Sequence, residues 1–138
     1  MSPRDTGTGT VLEQMILPAL QRGGYMHKKQ VNVGGRPGGG RHFVDAVAEK
    51  DGRKWLVSLK WQQVSGTAEQ KVPFEVICLA DSVQTGGYEA AYLVLGGEGW
   101  KLRNFYTGGG LQKYLNGSAR VNILTLEGFV ARANQGRL

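Results

Sequence analysis

The chain has 138 residues, of which 41% are hydrophobic, so it is long enough to bury a core and too short for a second domain. No apolar run approaches the roughly 18 residues that cross a bilayer, and the sequence from Met1 to Asp5 lacks the apolar segment of a signal peptide. The single cysteine, Cys78, excludes an internal disulfide and a zinc site built on cysteines. We therefore expect one domain over residues 1–138, cytoplasmic and without a membrane partner.

The charge balance favours a polyanionic partner. Lysine and arginine number 17 against 11 acidic residues, which gives a net charge of +6, and the isoelectric point is near 9.7. No acidic residue occurs between Glu13 and Asp45. The basic side chains of that interval are Arg22, Lys28, Lys29, Arg36 and Arg41, with His27 and His42 beside them.

A glycine-rich loop concentrates this charge. The run from Gly34 to Arg41 lets the backbone approach phosphates closely while its arginines neutralise them. A mobile, solvated loop with incidental charge is the alternative interpretation. The position of the loop next to the candidate site at Asp45 favours nucleic acid as the partner. The predicted DNA contacts are Lys28, Lys29, Arg36, Arg41 and His42.

Helices and strands alternate along the chain, which predicts an α/β fold with a mixed sheet of about five strands flanked by helices. The predicted helices are Thr8 to Gln21, Glu69 to Val83, Leu102 to Tyr106, Leu111 to Leu115, and a last one that Thr125 caps and that runs to Asn134. The predicted strands are Gln30 to Val33, Phe43 to Ala48, Lys54 to Trp61, Ala90 to Leu95, and Val121 to Leu124.

Threonines, prolines and glycines refine the helix boundaries. Thr8 or Thr10 is available as the N-cap of the first helix, and Pro18 predicts a kink in it. Pro73 falls in or near the first turn of the second helix, where its missing N–H costs little. The glycine pair at 86–87 is expected to end that helix.

An Asp-Gly pair sets the register of the predicted hairpin. Asp51 and Gly52 suit a two-residue type I′ turn, in which both central residues adopt positive φ. Lys50 then faces Arg53, and the pairing of every residue farther from the turn follows by counting outward.

This register predicts a small polar cluster. It puts Asp45 opposite Ser58 and Phe43 opposite Lys60, and the period of two sends Asp45, Ser58 and Lys60 toward one face. Gln62 continues that face and is a candidate for orienting a water or a phosphate. A carboxylate on an otherwise apolar strand is costly, which favours a functional role for Asp45.

The chemistry that fits this cluster is metal-dependent phosphodiester hydrolysis. Asp45 can ligate Mg²⁺ or Mn²⁺, ions that keep several waters and borrow further ligands from substrate phosphates. Lys60 can stabilise negative charge or orient the attacking water. One carboxylate is too few, so a second should come from Glu75 or Glu69 on the second helix, with Glu13 on the first helix as a third candidate.

At these positions the chain resembles the PD-(D/E)XK nuclease superfamily, which has a restriction-endonuclease-like core. Family members place a Glu on the first helix, an Asp on the second hairpin strand and an acid-x-Lys on the third. The matching residues here are Glu13, Asp45 and Ser58-Leu59-Lys60. The resemblance extends from Glu13 to about Leu95 and includes the order of the elements.

Ser58 departs from the family pattern, because a hydroxyl is a poor ligand for Mg²⁺. A subset of type II restriction enzymes has the same Ser-x-Lys and supplies the missing carboxylate from the following helix, at a spacing that Glu75 matches better than Glu69. The run from Leu59 to Glu75 is also similar to small nuclease-like proteins of phages and bacteria. Val44 stands where many members have a proline.

The resemblance implies a Mg²⁺- or Mn²⁺-dependent DNA endonuclease, with a homodimer supplying one site for each strand. Its catalytic residues would be Asp45, Lys60, Glu75, Ser58 and Gln62, and its metal ligands Asp45, Glu75 and Glu13. Holliday-junction resolution and a small restriction or homing activity are both open as subtypes. A non-catalytic DNA-binding module on the nuclease fold and an interaction protein for an acidic protein partner are the alternatives.

Overall fold

A five-stranded sheet lies between two layers of helices in the computed structural model, which describes residues 8–138. The sequence from Met1 to Asp5, on which the expectation of no signal peptide rests, lies outside the described residues. The strands are β1 (Met26–Gly35), β2 (Arg41–Lys50), β3 (Arg53–Trp61), β4 (Ala90–Gly96) and β5 (Val121–Thr125). The helices are α1 (a π-helical segment Leu12–Ile16 followed by Leu17–Arg22), α2 (Ala68–Gly86), α3 (Arg103–Thr107) and α4 (Leu126–Asn134), with a 3₁₀ turn at Leu111–Lys113.

The sheet is mixed, and its spatial order is the chain order, β1-β2-β3-β4-β5. β1, β2 and β3 pair antiparallel, whereas β3, β4 and β5 pair parallel. The parallel pairs need helical crossovers, which α2 and the segment containing α3 supply. The predicted fold class is confirmed.

Two hydrophobic cores fill the space on either side of the sheet. α1 and α4 pack on one face against residues such as Ala46, Val57 and Tyr92. α2 packs on the other face against residues such as Val44 and Leu93. β4 is buried along nearly its whole length because it faces both cores, as its continuous apolar sequence predicts.

The Asp-Gly hairpin forms as predicted. Asp51 has φ 55° and Gly52 has φ 78°, and Lys50 pairs with Arg53. The regular ladder between β2 and β3 continues as far as the pair Ala46 and Val57 and then ends. The predicted pairs beyond that point, Asp45 with Ser58 and Phe43 with Lys60, are therefore not ladder pairs.

β1 is longer than predicted, and the glycine-rich segment is an ordered turn. The prediction had a short strand from Gln30 to Val33 followed by a flexible loop, but β1 and β2 each have 10 residues and form a second hairpin. The backbone N–H of Arg36 donates to the Gly40 carbonyl at 2.8 Å, and that of Gly39 donates to the Arg36 carbonyl at 3.0 Å. Antiparallel pairing with β2 extends β1, because it satisfies backbone groups that a loop would leave to water.

Local signals locate most helix ends correctly. Thr125 caps α4 by accepting a hydrogen bond from the Gly128 N–H at 3.1 Å, and Gly87 ends α2 with φ 71°. Residues 8–11 are also helical and continue into the π-helical segment of α1, so the predicted caps at Thr8 and Thr10 are wrong. Instead of a simple kink, a π-helical segment precedes Pro18. Among residues 8–138 no helix is both long and apolar enough to span a bilayer.

Pro73 lies deeper in α2 than predicted, as the sixth residue of Ala68–Gly86. A proline there cannot donate to the Glu69 carbonyl, four residues earlier, so that carbonyl loses its partner within the helix. The Tyr106 hydroxyl, at the end of α3, donates to it instead at 2.8 Å. Tyr106 is only 4% exposed and Glu69 is half-buried, so this bond replaces a backbone bond in a partly buried setting.

Replacing Tyr106 with phenylalanine should therefore lower the free energy of unfolding by about 1–2 kcal/mol, because a partly buried carbonyl is left without a donor. In a Pro73→Ala background the helix can make the bond itself, so the same change should cost much less. Urea unfolding of the wild type, both single variants and the double variant measures this coupling. Equal costs in the two backgrounds would show that the Tyr106 hydroxyl has no such role.

Candidate active site

The regular alternation of β2 side chains between the two faces of the sheet is interrupted at Asp45. Ala46 packs into the core under α1 and α4, whereas Val44 packs into the core under α2, although residues two apart on a regular strand face the same side. The residue of β1 at the same level is Gln30, between the pairs Lys29 with Ala46 and Val31 with Val44. Gln30 has φ 50°, a left-handed conformation that is rare for glutamine, so both strands are irregular at this level.

This irregularity turns the Asp45 carboxylate toward β3. Its Oδ2 accepts a hydrogen bond from the Leu59 backbone N–H at 2.6 Å, beyond the end of the regular ladder. Burial raises the pKa of Asp45 above its ordinary value, and the bond from Leu59, the charge of Lys60 and the Gln30 side chain offset this only in part. Asp45 is thus a partly desolvated carboxylate that would gain from a cation.

Glu75 reaches the same place from α2. Its Oε2 accepts a hydrogen bond from the Ser58 hydroxyl at 2.6 Å. Burial by itself would raise the pKa of Glu75, but the interactions with His42 and Ser58 and the charge of Lys60 outweigh it, so the pKa lies below its ordinary value. The structure therefore brings the Glu75 carboxylate into contact with Ser58, which stands where the family pattern has an acid.

Lys60 completes the cluster from β3. It is half-buried, and its charge lowers the pKa of both Asp45 and Glu75. Among residues 8–138 neither carboxylate forms a direct salt bridge with it. Its ammonium group is thus near two carboxylates without being neutralised by close contact with either.

His42 does not have the role predicted for it. It was expected to contact DNA from a loop, but it lies on β2 with no exposed surface. Its Nδ1 is 3.0 Å from the Ser82 hydroxyl and its Nε2 is 3.4 Å from Oε1 of Glu75. A buried imidazole between two residues of α2 cannot reach a DNA backbone, so this prediction is wrong.

Gln62 and Glu69 also lie outside the cluster. The Gln62 carboxamide accepts a hydrogen bond from the Ala68 N–H at 3.0 Å and donates to the Gly99 carbonyl at 2.8 Å. Glu69 accepts hydrogen bonds from Gln62 and from the Lys101 backbone N–H. Gln62 therefore holds the start of α2 in place rather than orienting a water or phosphate, and Glu75 is the acid of α2 that meets Ser58.

Glu13 pairs with Lys29 instead of joining the two carboxylates. The Lys29 ammonium and Glu13 Oε1 are 2.5 Å apart, and both side chains are about half exposed. This pair also removes Lys29 from the set of free cations on β1. Within the part of the chain that the structure describes, no three potential metal-binding side chains cluster.

Three of the predicted DNA contacts remain on the surface of the hairpin that β1 and β2 form. Lys28, Arg36 and Arg41 are exposed. The Arg41 guanidinium lies 5.7 Å from the centre of the Phe43 ring, which is 47% exposed. The hairpin thus carries exposed basic side chains on β1, in its turn and at the start of β2, the strand that contains Asp45.

The donor set suits a hard divalent cation. Asp45 and Glu75 offer carboxylate oxygens. The negative charge of Glu75 adds to the effect of burial in raising the pKa of Asp45, and a cation shared between the two carboxylates would relieve this repulsion. Two carboxylates with open coordination positions match the way proteins bind Mg²⁺, whose remaining ligands are waters and substrate phosphates. No histidine or cysteine is needed, which fits an oxygen-binding ion rather than zinc.

The comparisons with known proteins agree with this fold. A family model described as a PD-(D/E)XK nuclease superfamily domain matches residues 4–137. The chain therefore belongs to the PD-(D/E)XK nuclease superfamily. No curated protein matches the chain.

Among solved structures, the chain is similar to the crystal structure of AF1548, a protein of unknown function. The TM-score is 0.50 and the sequence identity is 16%. The match covers 80% of this chain and 54% of that one, so this chain spans little more than half the length of its structural relative. At this identity the likeness supports the fold alone.

Proposed function

We propose that this protein is a metal-dependent DNA endonuclease with Asp45, Glu75 and Lys60 at its centre. The observation that carries the proposal is the convergence of two carboxylates and one lysine where the ladder between β2 and β3 ends. Membership of a nuclease superfamily supports hydrolysis of phosphodiester bonds. The net charge of +6 supports a polyanionic substrate.

In this proposal Asp45 and Glu75 hold Mg²⁺ or Mn²⁺, and the ion supplies Lewis acidity at the scissile phosphate. Lys60 stabilises the negative charge that develops there, or orients the attacking water. Ser58 acts through Glu75, because its hydroxyl donates to that carboxylate. Glu13 and Gln62 have no part in this centre, since each is engaged elsewhere.

The hairpin of β1 and β2 would hold DNA through Lys28, Arg36 and Arg41. A symmetric dimer would give one site for each strand of a duplex. The subtypes within this proposal are an enzyme that recognises DNA structure, such as a four-way junction, and a small restriction or homing enzyme. A bacterial or phage setting is consistent with both subtypes.

A second candidate is a DNA-binding module without activity on the same fold. The observation in its favour is Ser58, a hydroxyl where the family pattern has an acid. It predicts DNA binding with no cleavage in any divalent ion.

Incubating the protein with duplex, nicked, flap and four-way-junction DNA in Mg²⁺ or Mn²⁺ tests the proposal. We expect metal-dependent cleavage, and a loss of about 10²–10³-fold in Lys60→Ala, the range found when one group that stabilises developing charge is removed. Lys113→Ala, on the exposed 3₁₀ turn, is the matched control and should cleave at the wild-type rate.

Three outcomes separate the hypotheses. Cleavage that depends on metal and on Lys60 supports the endonuclease. Binding without cleavage in either ion favours the module. Binding through phosphate contacts weakens steeply as salt is raised. If the protein shows no such salt-dependent binding to DNA, the endonuclease and the DNA-binding module are both excluded, and a protein partner is favoured.

A further inference from the structure

His42 is a buried polar side chain for which the proposed reaction has no direct use. It has no exposed surface and lies on β2, three residues before Asp45. Burying an imidazole costs free energy unless both ring nitrogens find partners. Its two neighbours, Glu75 and Ser82, lie seven residues apart on α2 and so share one face of that helix.

The hydrogen-bond network allows one arrangement of protons on the neutral ring. A carboxylate only accepts hydrogen bonds, so the Nε2 that faces Glu75 must carry the hydrogen. The Nδ1 is then an acceptor, and the Ser82 hydroxyl, 3.0 Å away, donates to it. Among the described residues Nε2 forms no hydrogen bond, and it points at Glu75 Oε1 from 3.4 Å.

Each Glu75 oxygen consequently faces one group of the protein. Ser58 donates to Oε2 at 2.6 Å, and His42 Nε2 lies 3.4 Å from Oε1 without forming a hydrogen bond. The two groups limit the orientations open to the carboxylate, yet each oxygen keeps a lone pair for a further ligand. Groups that orient a metal ligand in this way commonly change metal affinity or activity by 10–100-fold when they are removed.

We propose that His42, oriented by Ser82, is a positioning residue that holds the Glu75 carboxylate in place for a divalent cation. The inference rests on the proposed function, because it assumes that Glu75 is a metal ligand. Ser82 orients the imidazole ring, the ring faces Oε1 of Glu75, and the Ser58 hydroxyl donates to Oε2. The missing acid at Ser58 is thereby replaced by a remote carboxylate together with the side chains that aim it.

Mn²⁺ binding measured by calorimetry, without DNA, tests this directly. His42→Leu keeps a buried side chain of similar size but removes the donor, so Mn²⁺ should bind about 10-fold more weakly or worse. His42→Gln keeps an amide N–H near the position of Nε2 and should restore most of the affinity. Ser82→Ala frees the ring and should give a smaller loss of a few fold.

Ser118→Ala is the matched control for these variants. Ser118 is also a buried serine, and its hydroxyl donates to the Leu115 carbonyl at 2.8 Å, away from the carboxylates. It should lose some thermal stability and bind Mn²⁺ as the wild type does. If His42→Leu does not fold, the comparison of Ser82→Ala with Ser118→Ala carries the test.

The outcomes keep this inference apart from the proposed function. If the wild type neither binds Mn²⁺ nor cleaves DNA, the proposed function fails. If the wild type does bind and cleave, wild-type Mn²⁺ affinity in folded His42→Leu and Ser82→Ala overturns the inference alone. An equal loss of affinity in Ser118→Ala would also overturn it, because the effect would then be one of general stability.

Discussion

Asp45→Asn is expected to abolish metal-dependent cleavage while leaving the fold at least as stable as the wild type. The asparagine Oδ1 can still accept the Leu59 N–H, so the local backbone should persist. The variant loses the charge that attracts the metal, and several kcal/mol of transition-state stabilisation correspond to a rate loss of about 10³-fold or more.

The stability half of this prediction has a definite pH dependence. The pKa of Asp45 is raised above 3.8, mainly by burial, so the folded state favours its protonated form. Its contribution to stability is present below pH 3.8 and is lost as the pH rises through the folded pKa. Asp45→Asn should therefore gain stability relative to the wild type near neutral pH, and this gain should vanish in acid.

Urea unfolding at several pH values, together with cleavage assays, measures both halves. Asp81→Asn is the control, because Asp81 is a half-buried carboxylate of α2 that lies outside the candidate site. Loss of activity with an equal loss of folded protein would contradict the prediction. So would cleavage at the wild-type rate, which would remove Asp45 from the centre.

Glu75→Gln should also abolish cleavage, but with the opposite effect on stability. The folded pKa of Glu75 lies below 4.5 because the interactions with His42 and Ser58 and the charge of Lys60 outweigh burial. The ionised form therefore stabilises the fold above pH 4.5, and this contribution is lost as the pH falls through the folded pKa. Replacing charge-assisted hydrogen bonds with neutral ones should cost about 1–3 kcal/mol near neutral pH.

The same unfolding series checks this second prediction. Near neutral pH the free energy of unfolding of Glu75→Gln should be lower than that of the wild type, and this difference should narrow as the pH is lowered. For Asp45→Asn the difference from the wild type has the opposite sign. Glu127→Gln, an exposed carboxylate in the first turn of α4, is the control and should change stability little. If Glu75→Gln were more stable than the wild type near neutral pH, the interactions of Glu75 with Ser58 and His42 would not favour the ionised carboxylate.

Much of the fold follows from signals that act over a few residues. Asp51 and Gly52 form the predicted turn because both can adopt positive φ, and that turn fixes the register of β2 on β3 near it. Thr125 caps α4 because its side chain reaches the Gly128 N–H within one turn. The buried strand β4 is readable because a strand covered on both faces must be apolar throughout.

Local sequence signals predict only part of the candidate site. Asp45 and Lys60 stand out because charged side chains are costly on apolar strands, and the resemblance to the nuclease family favoured Glu75 over Glu69. No local pattern reveals that Gln30 adopts φ 50° or that the alternation of β2 slips at Asp45, because both depend on how β1 pairs with β2. These irregularities turn the Asp45 carboxylate toward the Leu59 N–H.

The order of the elements, the hairpin turn and the charged side chains available for a site all follow from the amino-acid sequence alone. Which of these side chains come into contact depends on tertiary packing. Packing of α2 over the sheet buries His42 against Glu75 and Ser82, and it places Gln62 at the start of α2 instead of beside Lys60. The physical reason is range: turns and caps depend on neighbours in the chain, whereas the partners of a buried polar side chain depend on how separate layers pack.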